Sequence, residues 1–395
     1  MPYYRRLGDV PTKRHTRANS DGRLLSEELM GLEGFSQASS LLYHRHSPSA
    51  IVAAEPLPGT PPGAPDDATY DHVLEPRHLR TFDLPIGGDP VLGCVRLFEN
   101  DDIAIGVAAA TGSSGLYRDA VGDLLVYVQS GTAVLESTFG PLPVAAGDYV
   151  IVPRSTTHRW VFDAADGGEP LRLLVVESRS AHIQTPARYL NAQGQFVEGA
   201  PYCERDLRGP SELSTVEDTD VDVVVRHRGG FTRLRYANHP FDVVGWDGCV
   251  YPYAFNIRDF QPIVGQVHQP PPVHQTFQGG GFVVCSFVPR PFDFHPDAIK
   301  VPYHHSNVDS DELLYYSDGD FMSRAGSGIG VGSISYHPAG FVHGPQPGSV
   351  ERSMDQDHTS EVAVMIDTFR PLKLTDAARS ISADDYAWSW ARPLP

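Results

Sequence analysis

The sequence predicts a mainly β protein in which two β-rich units lie in one chain. Its 37 glycines and 34 prolines are scattered without a repeating period, which favours short strands and turns over long helices. From about residue 90 onward, runs of β-branched and aromatic residues are bounded by Gly, Pro or Asp. A faint internal repeat indicates that one β unit occurs twice. These observations exclude an all-helical bundle.

The composition excludes several classes of function. The 395 residues include 31 Lys and Arg against 49 Asp and Glu, a formal net charge of −18, which disfavours nucleic acid or an anionic membrane as the main partner. No stretch approaches the roughly 18 apolar residues of a membrane-spanning helix, and no apolar segment follows the basic N-terminus as in a signal peptide. The four cysteines are far apart without a C-x-x-C pair, which favours neither a disulfide framework nor a zinc knuckle. We therefore expect a cytoplasmic protein.

In chain order, the first 80 residues predict mixed structure. A short helix is expected at LLSEELMGLEGF (24–35) and a loop at PLPGTPPGAPDDA (56–68). Strands are then expected at LLVYVQSGTAVLES, GDYVIVP, LRLLVVES, FVVCSFVP, GSISYHP and EVAVMIDTF. These strands predict a sandwich or a barrel.

The internal repeat divides the chain. GDLLVYVQSG and GDYVIVPRSTTH lie within residues 122–158, and SDELLYYSDG and GSISYHPAGFVH lie within residues 310–343. Both copies join a strand ending in Gly to a later Gly-x5-Pro-x-small-x2-His. Two such copies predict a bicupin, in which a double-stranded β-helix is repeated in one chain. We expect an N-terminal β-sandwich or degenerate cupin domain over 1–235 and a C-terminal cupin domain with a metal site over 236–395.

Histidines concentrate in the second copy, where seven of the 17 fall between residues 268 and 343. There, His305-Ser-Asn307-x4-Glu312-x6-Gly319 precedes a Gly-x5-Pro-Ala-Gly-x2 segment that ends at His343. The pair resembles the two cupin motifs, with Asn307 where the second histidine of the first motif often lies. Residues near one strand end and on a neighbouring strand can converge in a barrel mouth. His305, Glu312 and His343 would then form the 2-His-1-carboxylate set expected of a non-haem Fe(II) oxygenase.

Other histidines are weaker candidates. His304 should point away from its neighbour His305. The N-terminal copy has Leu124 at the position of the motif glutamate and keeps only His158, so this half is expected to be structural. His44 and His46 form an H-x-H pair without a carboxylate at motif spacing, which indicates a structural role or a role behind the site.

Several segments together resemble one family. VPYHHSNVDSDELLYYSDGDF, GSISYHPAGFVHGPQPG, MPYYRRLGDVPTKRH, SEELMGLEGFSQASSLLYHRHSP and PFDVVGWDGCVYPYAFNIRDF are similar to the homogentisate 1,2-dioxygenase family, in a bacterial branch. The resemblance covers most of the chain and is strongest from about 240 to 350. It implies an Fe(II) enzyme of tyrosine and phenylalanine catabolism that uses O2 to open an aromatic ring, in trimer-based homo-oligomers.

The resemblance also assigns residues. It puts the family's iron ligands at His305, Glu312 and His343, and a histidine near the substrate at His337. Arg290 in FVPRPF matches a family arginine whose role could be structural.

Two positions depart from the family pattern. A catalytic histidine upstream of the ligands corresponds to His268 or His274, with a slight preference for His268 because it follows the matching NIRDFQPIVGQV segment. Phe321 stands where the family has a tyrosine that helps bind the substrate carboxylate, which weakens the case for homogentisate itself. Tyr303 is a candidate substitute for that hydroxyl. Tyr315 and Tyr316 are further candidates, with ordinary packing the more common role.

The leading hypothesis is therefore an iron-dependent dioxygenase that converts homogentisate and O2 to maleylacetoacetate. The alternatives are a dioxygenase for a different hydroquinone such as gentisate, a cupin isomerase, and a non-catalytic bicupin binding protein. The partners expected are a small aromatic hydroquinone and O2, without nucleic acid or membrane.

Overall fold

The computed structural model describes residues 3–20, 22–57, 67–163 and 169–391. The first strands are β1 Arg5–Gly8, β2 Asn19–Ser20, β3 Arg23–Leu24, β4 Ser26–Gly31, β5 Ser39–His44, β6 Ile51–Pro56, β7 Arg77–Arg80, β8 Val95–Glu99, β9 Ile103–Ala110, β10 Tyr117–Asp119, β11 Asp123–Ser130, β12 Thr132–Ser137, β13 Gly140–Ala145, β14 Asp148–Val152, β15 His158–Val161 and β16 Leu171–Ser178. They are followed by β17 Thr219–His227, β18 Gly230–Asn238, β19 Val243–Gly248, β20 Tyr253–Asn256, β21 Gln275–Gly279, β22 Phe282–Phe287, β23 Arg290–Pro291, β24 Asp311–Asp318, β25 Ser333–His337, β26 His358–Thr359, β27 Val362–Thr368 and β28 Lys373–Leu374. The helices α1 Ser349–Ser353 and α2 Asp376–Ser380 are short, and the predicted mainly β class is confirmed.

The first unit, here called the N-terminal barrel, is made by two seven-stranded sheets. Their orders are β13-β12-β15-β10-β17-β18-β6 and β20-β14-β11-β16-β9-β8-β28. Alternate apolar residues of both sheets face each other and form one core, which includes Val126, Leu135, Val150, Trp160 and Leu173. The runs predicted at LLVYVQSGTAVLES, GDYVIVP and LRLLVVES are β11 with β12, β14 and β16.

The second unit is a six-stranded sheet of order β21-β22-β27-β24-β25-β7. Since side chains alternate along a strand, Leu313 and Tyr315 of β24 face the large core shared with the N-terminal barrel. Glu312 and Leu314 face the other way, and this second face carries the candidate site. The runs predicted at FVVCSFVP, GSISYHP and EVAVMIDTF are β22, β25 and β27. The arrangement is the predicted bicupin-like one.

Strand pairing crosses the division predicted between residues 235 and 236. Strand β18 continues through it, and β7 from the N-terminal region pairs with β25 in the second sheet. Conversely, β20 and β28 follow residue 235 in the chain but pair with β14 and β8 of the N-terminal barrel. The two units therefore exchange strands, and the boundary at residue 235 stays a prediction.

The helix predicted over 24–35 is wrong. Residues Ser26–Gly31 form β4, which pairs antiparallel with Ser39–His44 of β5 along its whole length. Glu33, Gly34 and Phe35 then adopt left-handed backbone angles, with φ of 50°, 59° and 69°, which turn the chain back. Pairing with β5 overrides the local helix propensity of Leu, Glu and Met.

Within the described ranges, none of the helices combines the length and the apolar character needed to cross a bilayer. The loop predicted at 56–68 falls mostly at residues 58–66, which lie outside the described residues.

Candidate metal centre and substrate cavity

Three side chains from separate segments meet on the site face of the second sheet. Glu312 lies on β24, one residue after the strand begins, whereas His305 precedes that strand and His343 follows β25. The two histidine segments are joined by reciprocal backbone hydrogen bonds, His305 N to His343 O at 2.8 Å and His343 N to His305 O at 2.9 Å. One possible ligand atom from each of the three side chains lies within 4.8 Å of the others. The residues with cupin-motif spacing are thus brought together.

Backbone carbonyls orient both imidazoles. His305 Nδ1 lies 3.2 Å from the carbonyl oxygen of Tyr303, and His343 Nδ1 lies 3.0 Å from that of Phe341. A carbonyl can only accept, so each Nδ1 carries the proton and each Nε2 presents a lone pair. His305 Nε2 is 3.6 Å from Glu312 Oε2, and His343 Nε2 is 3.3 Å from Oε1. His343 Nε2 is buried and makes no hydrogen bond among the described residues, as expected of an atom that can act as a metal ligand.

His337, which the family resemblance puts near the substrate, lies in the structure between Glu312 and Tyr386. It is fully buried, and its Nδ1 lies 3.0 Å from Glu312 Oε1. Its Nε2 lies 3.0 Å from the hydroxyl of Tyr386, and its ring stacks on His343 at 4.0 Å between centroids. Burial lowers the pKa of His337 to about 3, so the ring is neutral and donates one hydrogen bond to the carboxylate. His337 therefore orients two candidate ligands.

Two groups near Glu312, the carboxyl of Asp367 and the hydroxyl of Tyr386, belong to neither cupin motif. Asp367 of β27 is directly opposite Glu312 in the strand register. Burial, followed by the charge of Glu312, raises the pKa of Asp367, which favours the protonated form of this side chain. The hydroxyl of Tyr386 reaches His337 from a segment 49 residues later in the chain. Only long-range packing brings these groups to the site, and sequence spacing offered no signal for them.

A cavity of about 150 Å³ opens beside His305 and Glu312. Both upstream histidines, His268 and His274, line it. His268 is exposed at the rim, where its Nδ1 lies 3.8 Å from Asp293 Oδ2. His274 is buried against Phe287 with a centroid distance of 4.7 Å, and its Nδ1 has no hydrogen-bond partner among the described residues. Burial, with the nearby Arg290, lowers the pKa of His274 to about 3.

Cationic side chains also line this cavity. Arg324 is only 6% exposed, and its Nε donates to Tyr316 Oη at 3.0 Å while Nη1 donates to the carbonyl of Gly344. Both acceptors are neutral, so the guanidinium forms no ion pair with the described residues. Arg290, by contrast, lies 3.7 Å from the Glu361 carboxylate. A buried cation without a carboxylate partner is costly, and an anionic ligand would offset that cost.

The tyrosine and phenylalanine candidates take other positions. Tyr303 is 59% exposed and packs edge-on against His268, with 5.1 Å between ring centroids. Phe321 packs on Tyr316 at 4.9 Å and is not part of the described cavity wall. Tyr316 is buried and bonded to Arg324, and Tyr315 is buried toward the N-terminal barrel. The structure brings none of these four into the cavity wall.

The degenerate N-terminal copy contains no comparable centre among the described residues. Leu124 lies on β11 and His158 is buried at the start of β15. His44 and His46 both bond to the carboxylate of Asp242, at 2.7 and 3.0 Å. These two histidines therefore belong to a charged cluster remote in sequence from the metal motif.

The chain is similar in sequence to proteins named as dioxygenases. The family described as homogentisate 1,2-dioxygenase N-terminal matches residues 93–257. A protein of Saccharolobus solfataricus named "Putative dioxygenase SSO1533" is 39% identical over 99% of both chains. The homogentisate 1,2-dioxygenase of Bradyrhizobium diazoefficiens is 25% identical in a match that covers 69% of this chain and 62% of that enzyme. Among solved structures, a cupin 2 conserved barrel domain protein from Leptotrichia buccalis has 9% identity and a TM-score of 0.33, covering 78% of this chain and 100% of its own.

Proposed function

Since the chain belongs to the homogentisate 1,2-dioxygenase family, we propose that it is an Fe(II)-dependent enzyme that opens the ring of homogentisate with O2. Both oxygen atoms would enter the product, which is maleylacetoacetate for this substrate. The observation that carries the proposal is the convergence of two imidazole Nε2 atoms and one carboxylate beside a cavity. This donor set leaves coordination positions open and suits a non-haem Fe(II) oxygenase.

The fit of the residues to iron rests on the donors themselves. Two neutral imidazoles and the carboxylate of Glu312 would hold the metal, and His337 would keep that carboxylate oriented. When bound there, Fe(II) would supply a Lewis acid for a ring hydroxyl and a path for electrons between ring and O2. The bound ring would occupy the cavity next to His305, where the walls limit contact with water.

The side chain of the substrate is proposed to reach Arg324. Homogentisate carries a carboxylate, and the overall charge of −18 repels such an anion at long range. The guanidinium of Arg324, which has no carboxylate at ion-pair distance among the described residues, offsets this repulsion locally. A charge-assisted hydrogen bond to a buried arginine also fixes which ring carbon faces the metal ligands.

The proton of the ring hydroxyl is proposed to pass to His268. This histidine stands at the rim of the cavity, with its Nδ1 3.8 Å from Asp293 Oδ2, and an imidazole is a common general base. His274 is buried and neutral, and its unpartnered Nδ1 would instead exchange a hydrogen bond with the substrate inside the cavity. Replacing His268 with Gln should therefore lower kcat, whereas replacing His274 with Gln should chiefly raise KM.

Oxygen consumption tests the proposal directly. The protein is purified without air, loaded with Fe(II), and mixed with homogentisate, gentisate and methylhydroquinone in separate cells of an oxygen electrode. Stoichiometric O2 uptake with homogentisate, and formation of maleylacetoacetate, are expected. O2 uptake with gentisate but not with homogentisate would show that the substrate is a different hydroquinone. No O2 uptake with any of the three compounds would refute dioxygenase function. Activity that needs no O2 and depends on bound Zn or Mn rather than on Fe would indicate an isomerase.

A further inference from the structure

The N-terminal barrel contains a second cavity that the proposed reaction does not use. Its volume is about 90 Å³, and it lies within the described residues between the two seven-stranded sheets. Much of its wall is apolar, with Leu124, Val126, Trp160 and Leu173 among the lining residues. A single water needs about 10–15 Å³, and an engineered apolar cavity of about 150 Å³ binds benzene. The cavity therefore exceeds the volume of one water several-fold and is about three-fifths of that benzene-binding volume, so an organic ligand must be small and in close contact with the walls.

His158 gives this cavity a specific polar contact. The ring is 1% exposed, and its Nδ1 lies 3.0 Å from the carbonyl oxygen of Thr156. Nδ1 must therefore donate, which leaves Nε2 as an acceptor. Nε2 is buried and has no hydrogen-bond partner among the described residues. Burial lowers the pKa of His158 to about 4, so the ring stays neutral at pH 7. An unused acceptor of this kind favours a ligand that can donate a hydrogen bond.

The charged groups of the same wall neutralise each other. Arg226 bonds to Asp119 at 3.1 Å and also contacts the carboxylate of Glu177. Arg96 lies 3.6 Å from Glu177 as well. Two guanidinium groups thus face two carboxylates, and neither sign remains in excess to attract an ion. Nor do these carboxylates and His158 form a group with metal-ligand spacing in the described chain.

We propose that this cavity binds a small neutral phenol whose ring lies on the apolar wall and whose hydroxyl donates to Nε2 of His158. The site is separate from the proposed metal centre, which is built on the second sheet from residues 305–343. The N-terminal barrel has thus lost its metal ligands but kept the second-motif histidine as a ligand-binding group. This proposal stands whether or not the chain acts on homogentisate.

Fluorine NMR with 4-fluorophenol tests the proposal on the full-length protein. A resonance of bound 4-fluorophenol is expected. The dissociation constant of this ligand should rise about tenfold in a His158→Leu variant, the usual effect of losing one buried hydrogen bond. The matched ligand 4-fluoroanisole has the same ring without a hydroxyl proton. It should bind the wild-type protein about tenfold more weakly than 4-fluorophenol, and His158→Leu should not weaken it further.

Circular dichroism checks that the variant folds. If His158→Leu does not fold, a Leu173→Phe variant narrows the cavity from its apolar side and should abolish the resonance of 4-fluorophenol bound in the N-terminal barrel. A resonance from the C-terminal cavity would persist in both variants and is thereby distinguished. The proposal is overturned if millimolar 4-fluorophenol gives no bound resonance, which would mean that the cavity holds water only. Equal affinity of His158→Leu and the wild-type protein for 4-fluorophenol also overturns it.

Discussion

Replacing Arg324 with Met should change which hydroquinones the protein accepts. The wild-type guanidinium is 6% exposed, faces the cavity and has two neutral hydrogen-bond acceptors. A hydrogen bond from such a group to a carboxylate contributes about 1.5–3 kcal/mol. The variant should therefore lose about 10- to 150-fold in kcat/KM for homogentisate. Methylhydroquinone lacks the carboxylate, so its kcat/KM should change little.

The assay is initial-rate O2 uptake with both substrates on iron-loaded wild-type and variant proteins. Arg290→Met is the matched control, because Arg290 lines the same cavity but already has Glu361 at 3.7 Å. The ratio of kcat/KM for homogentisate to that for methylhydroquinone should fall in Arg324→Met and stay near the wild-type value in Arg290→Met. A lower fraction of folded protein would reduce the kcat/KM values of both substrates by the same factor, so it cancels in this ratio.

If both kcat/KM values, and so their ratio, are unchanged in Arg324→Met, the reasoning is refuted, since the carboxylate then binds elsewhere. A fall in both kcat/KM values by the same factor would show that Arg324 supports the fold through Tyr316 and Gly344 rather than the substrate. A larger fall of the ratio in Arg290→Met than in Arg324→Met would move the anion site to Arg290.

Three further outcomes follow from the structure. Glu312→Gln should lose its iron, because a neutral amide replaces the one anionic ligand of the set, and metal analysis of the purified protein measures this loss. His337→Leu should weaken iron affinity about 10- to 100-fold in chelator competition, since the histidine orients the carboxylate, and Tyr386→Phe should weaken it less. Burial opposes protonation of His44, but Asp242 and Glu28 outweigh it and raise the pKa of His44 to about 9. This folded-state pKa is above the ordinary histidine pKa of about 6.5, so about 3 kcal/mol of stability is present below pH 6.5 and lost as pH rises through 9.

Each outcome has its control. His304→Ala should retain iron, because this neighbour of His305 is absent from the ligand group, and iron loss there would contradict the ligand assignment. Equal iron affinity in His337→Leu and wild-type protein would remove the orienting role. Chemical denaturation at pH 6.5 and pH 9.5 measures the His44 contribution. A His44→Gln variant should reduce the fall in unfolding free energy, and an unchanged fall would assign it to other groups.

The metal centre illustrates what spacing alone could predict. His305, Glu312 and His343 lie in two short motifs whose turns and strand pairing fix the local geometry. The motif residue Gly319 is likewise fixed by its local geometry. Its φ is 88°, and the carbonyl oxygen of Ser360 lies 2.0 Å from where a Cβ would be, so both features require glycine. Such constraints act within a few residues or one strand pair, and a sequence pattern can record them.

The rest of the site was not visible in the sequence because its contacts join distant segments. Asp367 faces Glu312 only through the pairing of β24 with β27, and His337 meets the hydroxyl of Tyr386 only because a segment 49 residues later packs beside it. The strand at Ser26–Gly31 likewise replaced a predicted helix once β5 was available as a partner.

By itself, then, the sequence determined the mainly β class, the predicted strand runs and the three candidate ligands, because strand periodicity and motif spacing are local properties of the chain. Only the tertiary structure decided that Arg324 is a buried cation without a carboxylate partner, and that the surviving His158 faces a second cavity. Burial and hydrogen-bond partnership depend on every element packed around a residue, and no short stretch of sequence contains that information.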